Sequence, residues 1–128
     1  MINKNFIEDT GILIKQITDR GIKLEHGNVL VAKVKVDRVT KGGIHLTEGQ
    51  AKLEEYTRGF ARILALPADY DEGPLKVGQY VMFSHEARYM PHYACLSEIL
   101  GLEIIPEFLY TVQDNNIILT IEAEKMHE

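Results

Sequence analysis

The sequence has little of several features that direct proteins to particular classes. It has one cysteine, Cys95, so it cannot form an internal disulfide. No apolar run approaches the ~20 residues that a membrane helix needs, and the first residues lack the basic, apolar and small-residue succession of a secretory signal. The 14 basic residues are outnumbered by 19 acidic ones, and the net charge of −5 disfavours nucleic acid as a partner. We therefore expect a soluble cytoplasmic protein that binds neither membrane nor nucleic acid.

Recognisable catalytic patterns are also missing. The only cluster of metal-ligand side chains is His85, His92 and Cys95, whose spacing matches no usual zinc pattern and which has no fourth ligand nearby. No Gly-x-Ser-x-Gly nucleophile motif occurs, and the pair Gly42-Gly43 lacks the Lys-Ser/Thr that completes a phosphate-binding loop. The sequence therefore predicts no enzyme, no cofactor and no metal site.

Strand-like patterns occupy most of what remains. Apolar and β-branched residues are concentrated in five short segments, residues 28–36, 57–66, 79–83, 108–112 and 117–121, and a turn is predicted at residues 114–116. The first segment reads as a half-buried strand whose facing changes near Ala32, and the second has apolar residues on both faces. At 128 residues the chain has the size of one domain. We therefore expect a single domain, residues 1–128, of the all-β class.

Two segments stand outside this strand pattern. The N-terminal extension, residues 1–21, has apolar residues that fit neither the helical nor the strand period, although residues 12–14 are β-branched enough for a short strand. We expect this extension to pack on the outside of the fold rather than to form a separate binding element. The insertion at residues 84–107 is rich in apolar side chains, and residues 96–100 have a helical spacing that Gly101 can end, which predicts a short helix.

The segment between the first two strands, residues 37–56, has an unusual composition. It is polar apart from a few positions, and the adjacent pair Gly42-Gly43 makes its backbone permissive, so we expect a mobile loop. In an extended chain Ile44 and Leu46 share one face, while His45 points the other way. Two readings of this apolar pair have about equal weight. It is a peptide that docks on a partner, or it folds back on the protein's own core.

Several motifs follow one another in a characteristic order. They are Val29-Leu30-Val31, Gly42-Gly43-Ile44-His45-Leu46, Thr57-Arg58-Gly59, the run at residues 76–83 and the final strand at residues 117–121. In this order the sequence resembles the GroES-type co-chaperonins, the small heptameric lids of double-ring chaperonins, over residues 22–123. The resemblance implies a small antiparallel β-barrel of GroES type with a long mobile loop, residues 37–56, and a partly helical insertion, residues 84–107.

The resemblance also implies a function for the loop. In that family an apolar-x-Leu tripeptide binds the chaperonin, which assigns this role to the element Gly42, Gly43, Ile44, His45 and Leu46. The family usually has an aliphatic residue where His45 stands. The partner would be a host GroEL-type chaperonin, and the closed chamber would hold an unfolded client protein. The chaperonin binds the ATP, so this chain would need no cofactor.

Two further expectations come from the family's ring. Seven subunits are joined there by pairing the first strand of one barrel with the last strand of its neighbour, which would bring Val29 and Val31 against Ile118 and Ile121. The connection at residues 67–74 is shorter than the roof hairpin of the bacterial proteins. It is similar to the phage-encoded branch, whose enlarged chamber accommodates a capsid protein. The chamber wall would then include Tyr89, Met90 and Tyr93.

Two other classes of function are weighed against this one. The main alternative is a non-catalytic β-barrel module of a phage structure, used in binding or assembly without a chaperonin. The other is an enzyme domain like the barrel of zinc-dependent alcohol dehydrogenases. That reading requires metal ligands and a dinucleotide domain, and the sequence has neither pattern.

Overall fold

The computed structural model describes residues 2–36, 59–71, 73–84, 88–89, 98–99, 101 and 109–127. The elements in chain order are helix α1 (Lys4–Asp19), strands β1 (Asn28–Lys33), β2 (Phe60–Ala65), β3 (Tyr80–Phe83), β4 (Arg88–Tyr89) and β5 (Leu109–Gln113), a 3-10 turn (Asp114–Asn116), strand β6 (Ile117–Ile121) and helix α2 (Ala123–Met126). Each of the five segments predicted to be strands contains one, and the turn predicted at residues 114–116 is present.

The six strands form one antiparallel sheet in the order β4-β5-β1-β2-β3-β6. A barrel requires its two outermost strands to pair with each other. In the described part of the chain β4 and β6 are not paired, so the sheet is open there, in contrast to the closed barrel that was predicted. The prediction of a β-rich domain is confirmed, but a long helix is also present, so the fold is not all-β.

Helix α1 replaces the short strand predicted at residues 12–14. Its buried residues are Phe6, Thr10, Leu13 and Ile17, whose spacing of four, three and four places them on one helical face. The Asn3 side chain caps the helix by accepting a hydrogen bond from the Phe6 amide at 3.1 Å. The strand prediction was wrong because it weighed the local preference of β-branched residues, whereas burial of this face against the sheet decides the structure. The extension therefore packs on the sheet, as expected.

Both faces of the central strands are covered. Along β1, Leu30 and Ala32 join the cluster beneath α1, and Val29 and Val31 join a second cluster on the opposite face. All four side chains are buried, so residues 29–32 are not half-buried as predicted. Leu30, Ala32 and Val34 belong to one cluster, so the facing does not change near Ala32. From Lys33 to Val36 the prediction of half-burial is confirmed, since Val34 is buried and Lys35 is exposed. The second cluster is covered in part by residues 66–75, which contribute Leu66, Tyr70 and Leu75. A strand that is buried on both faces has no solvent-facing side.

The helix predicted within the insertion at residues 84–107 is present at the residues that the structure describes there, whereas strand β4 in the same insertion was not predicted. Glu98 and Ile99 have helical backbone conformation. Gly101 follows with a φ of 70°, the left-handed conformation that commonly ends a helix. The Gly101 amide donates to the Glu98 carbonyl oxygen at 3.3 Å.

Gly11 in the middle of α1 provides a test of the helix. A Cβ added there meets no atom within 4 Å. Because glycine weakens a helix interior, Gly11→Ala should raise the free energy of unfolding by about 0.5–1 kcal/mol, measured by urea denaturation. Gly59→Ala is the contrasting variant. Its φ is 73° and the added Cβ would lie 2.6 Å from the Phe83 carbonyl oxygen, so it should destabilise the protein. A loss of stability in Gly11→Ala would contradict the helix.

Candidate functional site

Much of the predicted site lies outside the described residues. This applies to all of the predicted chaperonin-binding element, Gly42, Gly43, Ile44, His45 and Leu46, to two predicted chamber-wall residues, Met90 and Tyr93, and to the metal-ligand candidates His85, His92 and Cys95. The third chamber-wall residue, Tyr89, lies in β4 opposite Tyr110 of β5. Their functional assignments stay predictions.

The two ends of the predicted loop are nevertheless well defined. The chain leaves strand β1 through residues 34–36 and enters the neighbouring strand β2 through residues 59–60. We call these two short segments the loop stem. The Val34 amide donates to the Phe60 carbonyl oxygen at 3.1 Å, so the chain leaves and re-enters the sheet at one point. The N-terminal extension also contacts the stem. The Asn3 amide donates to the Lys35 carbonyl oxygen at 2.9 Å, and Ile2 forms an isolated antiparallel β-bridge with Val36. Sequence patterns contained no signal for this contact.

The predicted contact residues of the first strand have an interior position. Val29 and Val31 lie in β1, which is hydrogen-bonded to β5 on one side and to β2 on the other. Both side chains are 0% exposed. In this chain β1 therefore has no free edge at which a neighbour's last strand could pair, and its two valines serve the core.

The predicted contact residues of the last strand lie at an edge. Among the described residues β6 pairs with β3 only. Ile118 is the extra residue of a bulge, because Leu119 lies opposite Met82 while Ile117 lies opposite Phe83, and its side chain is 70% exposed. Ile121, in contrast, is half-buried against the cluster beneath α1.

Two residues that sequence reasoning missed extend this edge. Leu119 and Met82 are direct cross-strand partners and are 42% and 40% exposed. Together with Ile118 they form what we call the β6 patch (Met82, Ile118, Leu119). The sequence Ile-Ile-Leu-Thr-Ile has apolar residues at both parities, a signal that both faces of β6 are apolar. Exposed apolar side chains grouped along a sheet edge are typical of a contact surface.

A cleft of about 490 Å³ borders the same strand. One wall consists of Tyr70, Gly73, Pro74 and Leu75, and the other includes residues 117–120 of β6. The turn that forms the first wall is held by a hydrogen bond from the Leu75 amide to the Tyr70 hydroxyl oxygen at 2.8 Å. The cleft therefore lies beside residues 117–120 of β6, which include two members of the β6 patch.

A buried arginine lies behind this edge and joins the helix to the sheet. Arg62 of β2 donates from Nη1 to the Thr10 hydroxyl oxygen at 2.8 Å and to the Ile7 carbonyl oxygen at 3.3 Å. Its Nε donates to the Gly78 carbonyl oxygen at 3.0 Å. Burial lowers the pKa of the guanidinium, because a charge is costly to remove from water. The hydrogen-bond acceptors that hold this cation are all neutral oxygens.

Tyr80 lies at the centre of the same region. Its ring is 0% exposed and packs between Phe6 and Phe60, with centroid distances of 6.5 and 5.9 Å. The Arg62 guanidinium carbon lies 5.5 Å from the ring centroid, a cation–π contact. Burial raises the pKa of Tyr80, although the charge of Arg62 opposes this shift. The phenol is therefore neutral at physiological pH.

An exposed pair, His26 and Asp69, lies elsewhere on the surface. The hydrogen bond and then the charge of Asp69 raise the pKa of His26 above 6.5. Protonation of His26 thus favours the folded protein, and this small effect is present below pH 6.5 and is lost as the pH rises through the folded pKa.

In comparisons with known proteins, no protein-family model and no curated protein matches this chain. No helix in the described part is long and apolar enough to cross a membrane. Across the same residues, no three or more His, Cys, Asp or Glu side chains are grouped so that they could hold a metal ion.

Thr10→Val tests the attachment of α1 to the sheet. This change keeps the shape of the side chain but removes the hydroxyl that accepts from Arg62, leaving a buried cation with one fewer partner. We expect the free energy of unfolding to fall by about 1–3 kcal/mol in denaturant titrations.

The matched control is Thr18→Val. The Thr10 hydroxyl also donates to the Phe6 carbonyl oxygen at 2.7 Å, and the Thr18 hydroxyl makes the equivalent bond to the Ile14 carbonyl oxygen at 2.8 Å, but Thr18 is exposed. We expect this variant to stay within about 0.5 kcal/mol of the parent protein. Equal effects in the two variants would mean that the Arg62 contact contributes nothing.

Proposed function

We propose that this chain is a subunit of a ring-shaped co-chaperonin, which caps a host GroEL-type chaperonin in a nucleotide-dependent way and closes the chamber in which client proteins fold. The observation that carries the proposal is the loop stem. It fastens both ends of the segment that contains Ile44 and Leu46 to neighbouring strands of one sheet. A docking peptide held in this way extends from a defined position on a rigid support.

The energetics of such a loop suit a lid. Burial of Ile44 and Leu46 on a partner would contribute about 1.5–3 kcal/mol each. Ordering the loop would cost roughly 1–2 kcal/mol for each residue that becomes fixed. One loop therefore binds weakly, but after the first loop of a ring docks, the others bind at high effective concentration. The sum is a firm attachment that can still be released.

The β6 patch is the proposed contact between subunits. Ile118 and Leu119 are exposed on a strand that pairs on one side only among the described residues, and Met82 extends the apolar surface onto β3. A neighbouring subunit's strand, seated beside β6, would cover this edge and bury the three side chains. This arrangement uses Ile118 from the predicted contact set and excludes Val29 and Val31, which are in the core. We propose seven subunits per ring by family resemblance alone.

Co-sedimentation with a bacterial double-ring chaperonin tests the capping function. Binding should require ATP or ADP, and Leu46→Ser should reduce it at least about tenfold, because each loop loses most of one buried leucine. The circular dichroism spectrum of the variant should be unchanged. Loss of the fold in Leu46→Ser would instead assign Leu46 to the protein's own core. Failure of the intact oligomer to bind would favour an assembly module that needs no chaperonin.

Ile118→Lys tests the proposed contact between subunits. A charge in the middle of a buried apolar contact is costly, so the particle mass in native mass spectrometry should fall towards the 14.5 kDa of one chain. Ile12→Lys is the control, because Ile12 is also an exposed isoleucine, at 47%, but lies on the outer face of α1. The proposal predicts that only Ile118→Lys dissociates the oligomer. Dissociation by both variants, or by neither, would contradict it.

A further inference from the structure

A histidine near the end of the C-terminal segment contacts the sheet. Nε2 of His127, the residue after α2, lies 2.7 Å from the Tyr80 hydroxyl, and its ring meets the Tyr80 ring edge-on at a centroid distance of 5.4 Å. His127 is at the surface, where its ring can exchange protons with solvent, whereas Tyr80 is fully buried. The histidine therefore covers the polar end of a buried phenol.

The geometry favours one protonation state of His127. We assign the phenol as the donor, because this pairs the hydroxyl hydrogen of the buried Tyr80; Nε2 then accepts through its lone pair and the ring proton is on Nδ1. A protonated imidazole has no lone pair to offer. Its Nε2–H would donate to the phenol oxygen, and the Tyr80 hydroxyl hydrogen would need another acceptor beside the rings of Phe6 and Phe60.

The charges around His127 also favour its neutral form. From the sheet it faces Tyr80 on β3, which is neutral, and Arg62 on β2, whose positive charge disfavours a second cation. From α1, Phe6 packs against the same Tyr80 ring and carries no charge. The C-terminal segment itself contains Glu122, Glu124 and Lys125. Of these, Glu122 is held by the Gln79 amide nitrogen, which donates to Oε1 at 3.3 Å.

Between the contacts of Glu122 and His127, the segment makes few other contacts with the rest of the described chain. Helix α2 has four residues and none of them is buried. Ala123 and Met126 are partly buried against the cluster beneath α1. A helix of one turn is unstable without such contacts, so the docked form of the segment depends on the few contacts described above. A single proton can therefore shift the balance between docked and released forms of the segment.

We propose that residues 122–127 form a pH-operated latch, docked on Tyr80 while His127 is neutral and released when the His127 ring is protonated. Release uncovers the hydroxyl of Tyr80 and the end of β6 at Ile121, which packs in the same cluster as Ala123 and Met126. The device is independent of the chaperonin partner, because it needs only residues within this chain.

The sign of the pH dependence follows from the docked state. Partial burial and, second, the charge of Arg62 lower the pKa of His127 below 6.5 when the segment is docked. The docking energy is therefore fully present above pH 6.5 and is lost as the pH falls below it. Between neutral pH and a pH below both pKa values, the ratio of released to docked segment should rise. The rise should be about tenfold for each unit by which the pKa of His127 is lower in the docked segment than in the released one. His26, with its raised pKa, has the opposite dependence.

The experiment combines two measurements on the full chain between pH 7.5 and 5.0. Histidine ring NMR gives the pKa of His127. Hydrogen exchange of the Lys125 and His127 amides, which donate to the Glu122 and Ala123 carbonyl oxygens, reports docking after correction for the intrinsic rate. We expect a His127 pKa below 6.5 and a loss of amide protection over the same pH range. A His127 that titrates at 6.5 with unchanged protection would overturn the latch.

Three variants separate the latch from general acid sensitivity. In His127→Gln the side-chain oxygen can still accept from Tyr80 but does not titrate, so the segment should stay docked at both pH values. Tyr80→Phe removes the donor and should leave the amides of residues 125 and 127 exchanging rapidly at all pH values. His26→Gln should behave as the parent protein. A pH-dependent release that persists in His127→Gln would refute the proposal, and this comparison does not depend on whether Tyr80→Phe folds.

Discussion

The central physical constraint in this protein is that β1 and β2 are apolar on both faces. Such strands are stable only where both sides of the sheet are shielded from water. Helix α1 covers one side and residues 66–75 contribute to cover on the other. Along β3, Tyr80 is buried beneath α1, whereas Met82 is exposed. The β6 patch thus lies where these covering elements no longer shield the sheet, and an additional partner can bury apolar surface there.

Arg62 and Tyr80 connect the parts that meet near this edge. The arginine binds the helix backbone, the Thr10 hydroxyl and the turn before β3 with one planar group, while its charge rests against the Tyr80 ring. A lysine, with a single point charge, could not reach these acceptors on different elements in the same way. Because Tyr80 also contacts His127, the attachment of α1 and the docking of the C-terminal segment involve one group of side chains.

Five of the six described strands could be predicted from the sequence because each is a short apolar, β-branched run near turn residues, whereas the two-residue strand β4 carries no such pattern. The order of strands in the sheet could not, since alternation indicates which residues share a face but does not indicate which strands are neighbours. The family resemblance assigned Val29 and Val31 to a contact between subunits, whereas in the structure they lie in the interior strand β1. Helix α1 was missed because its face includes a polar member, Thr10, whose burial depends on Arg62, 52 residues away.

The size of the β6 patch limits how it can function. Its three side chains are already 30–60% buried in one chain, so covering them contributes only part of the roughly 1.5–3 kcal/mol that a whole side chain gives. Association of two proteins costs an estimated 4–15 kcal/mol in lost freedom, which such a patch alone does not offset. A stable assembly therefore needs backbone pairing along the free edge of β6 and closure into a ring, in which every subunit gains two contacts. Ile121 ends the strand and packs against the same cluster as Ala123 and Met126 of α2, so release of the proposed latch would uncover this end of the edge before a neighbour pairs with it.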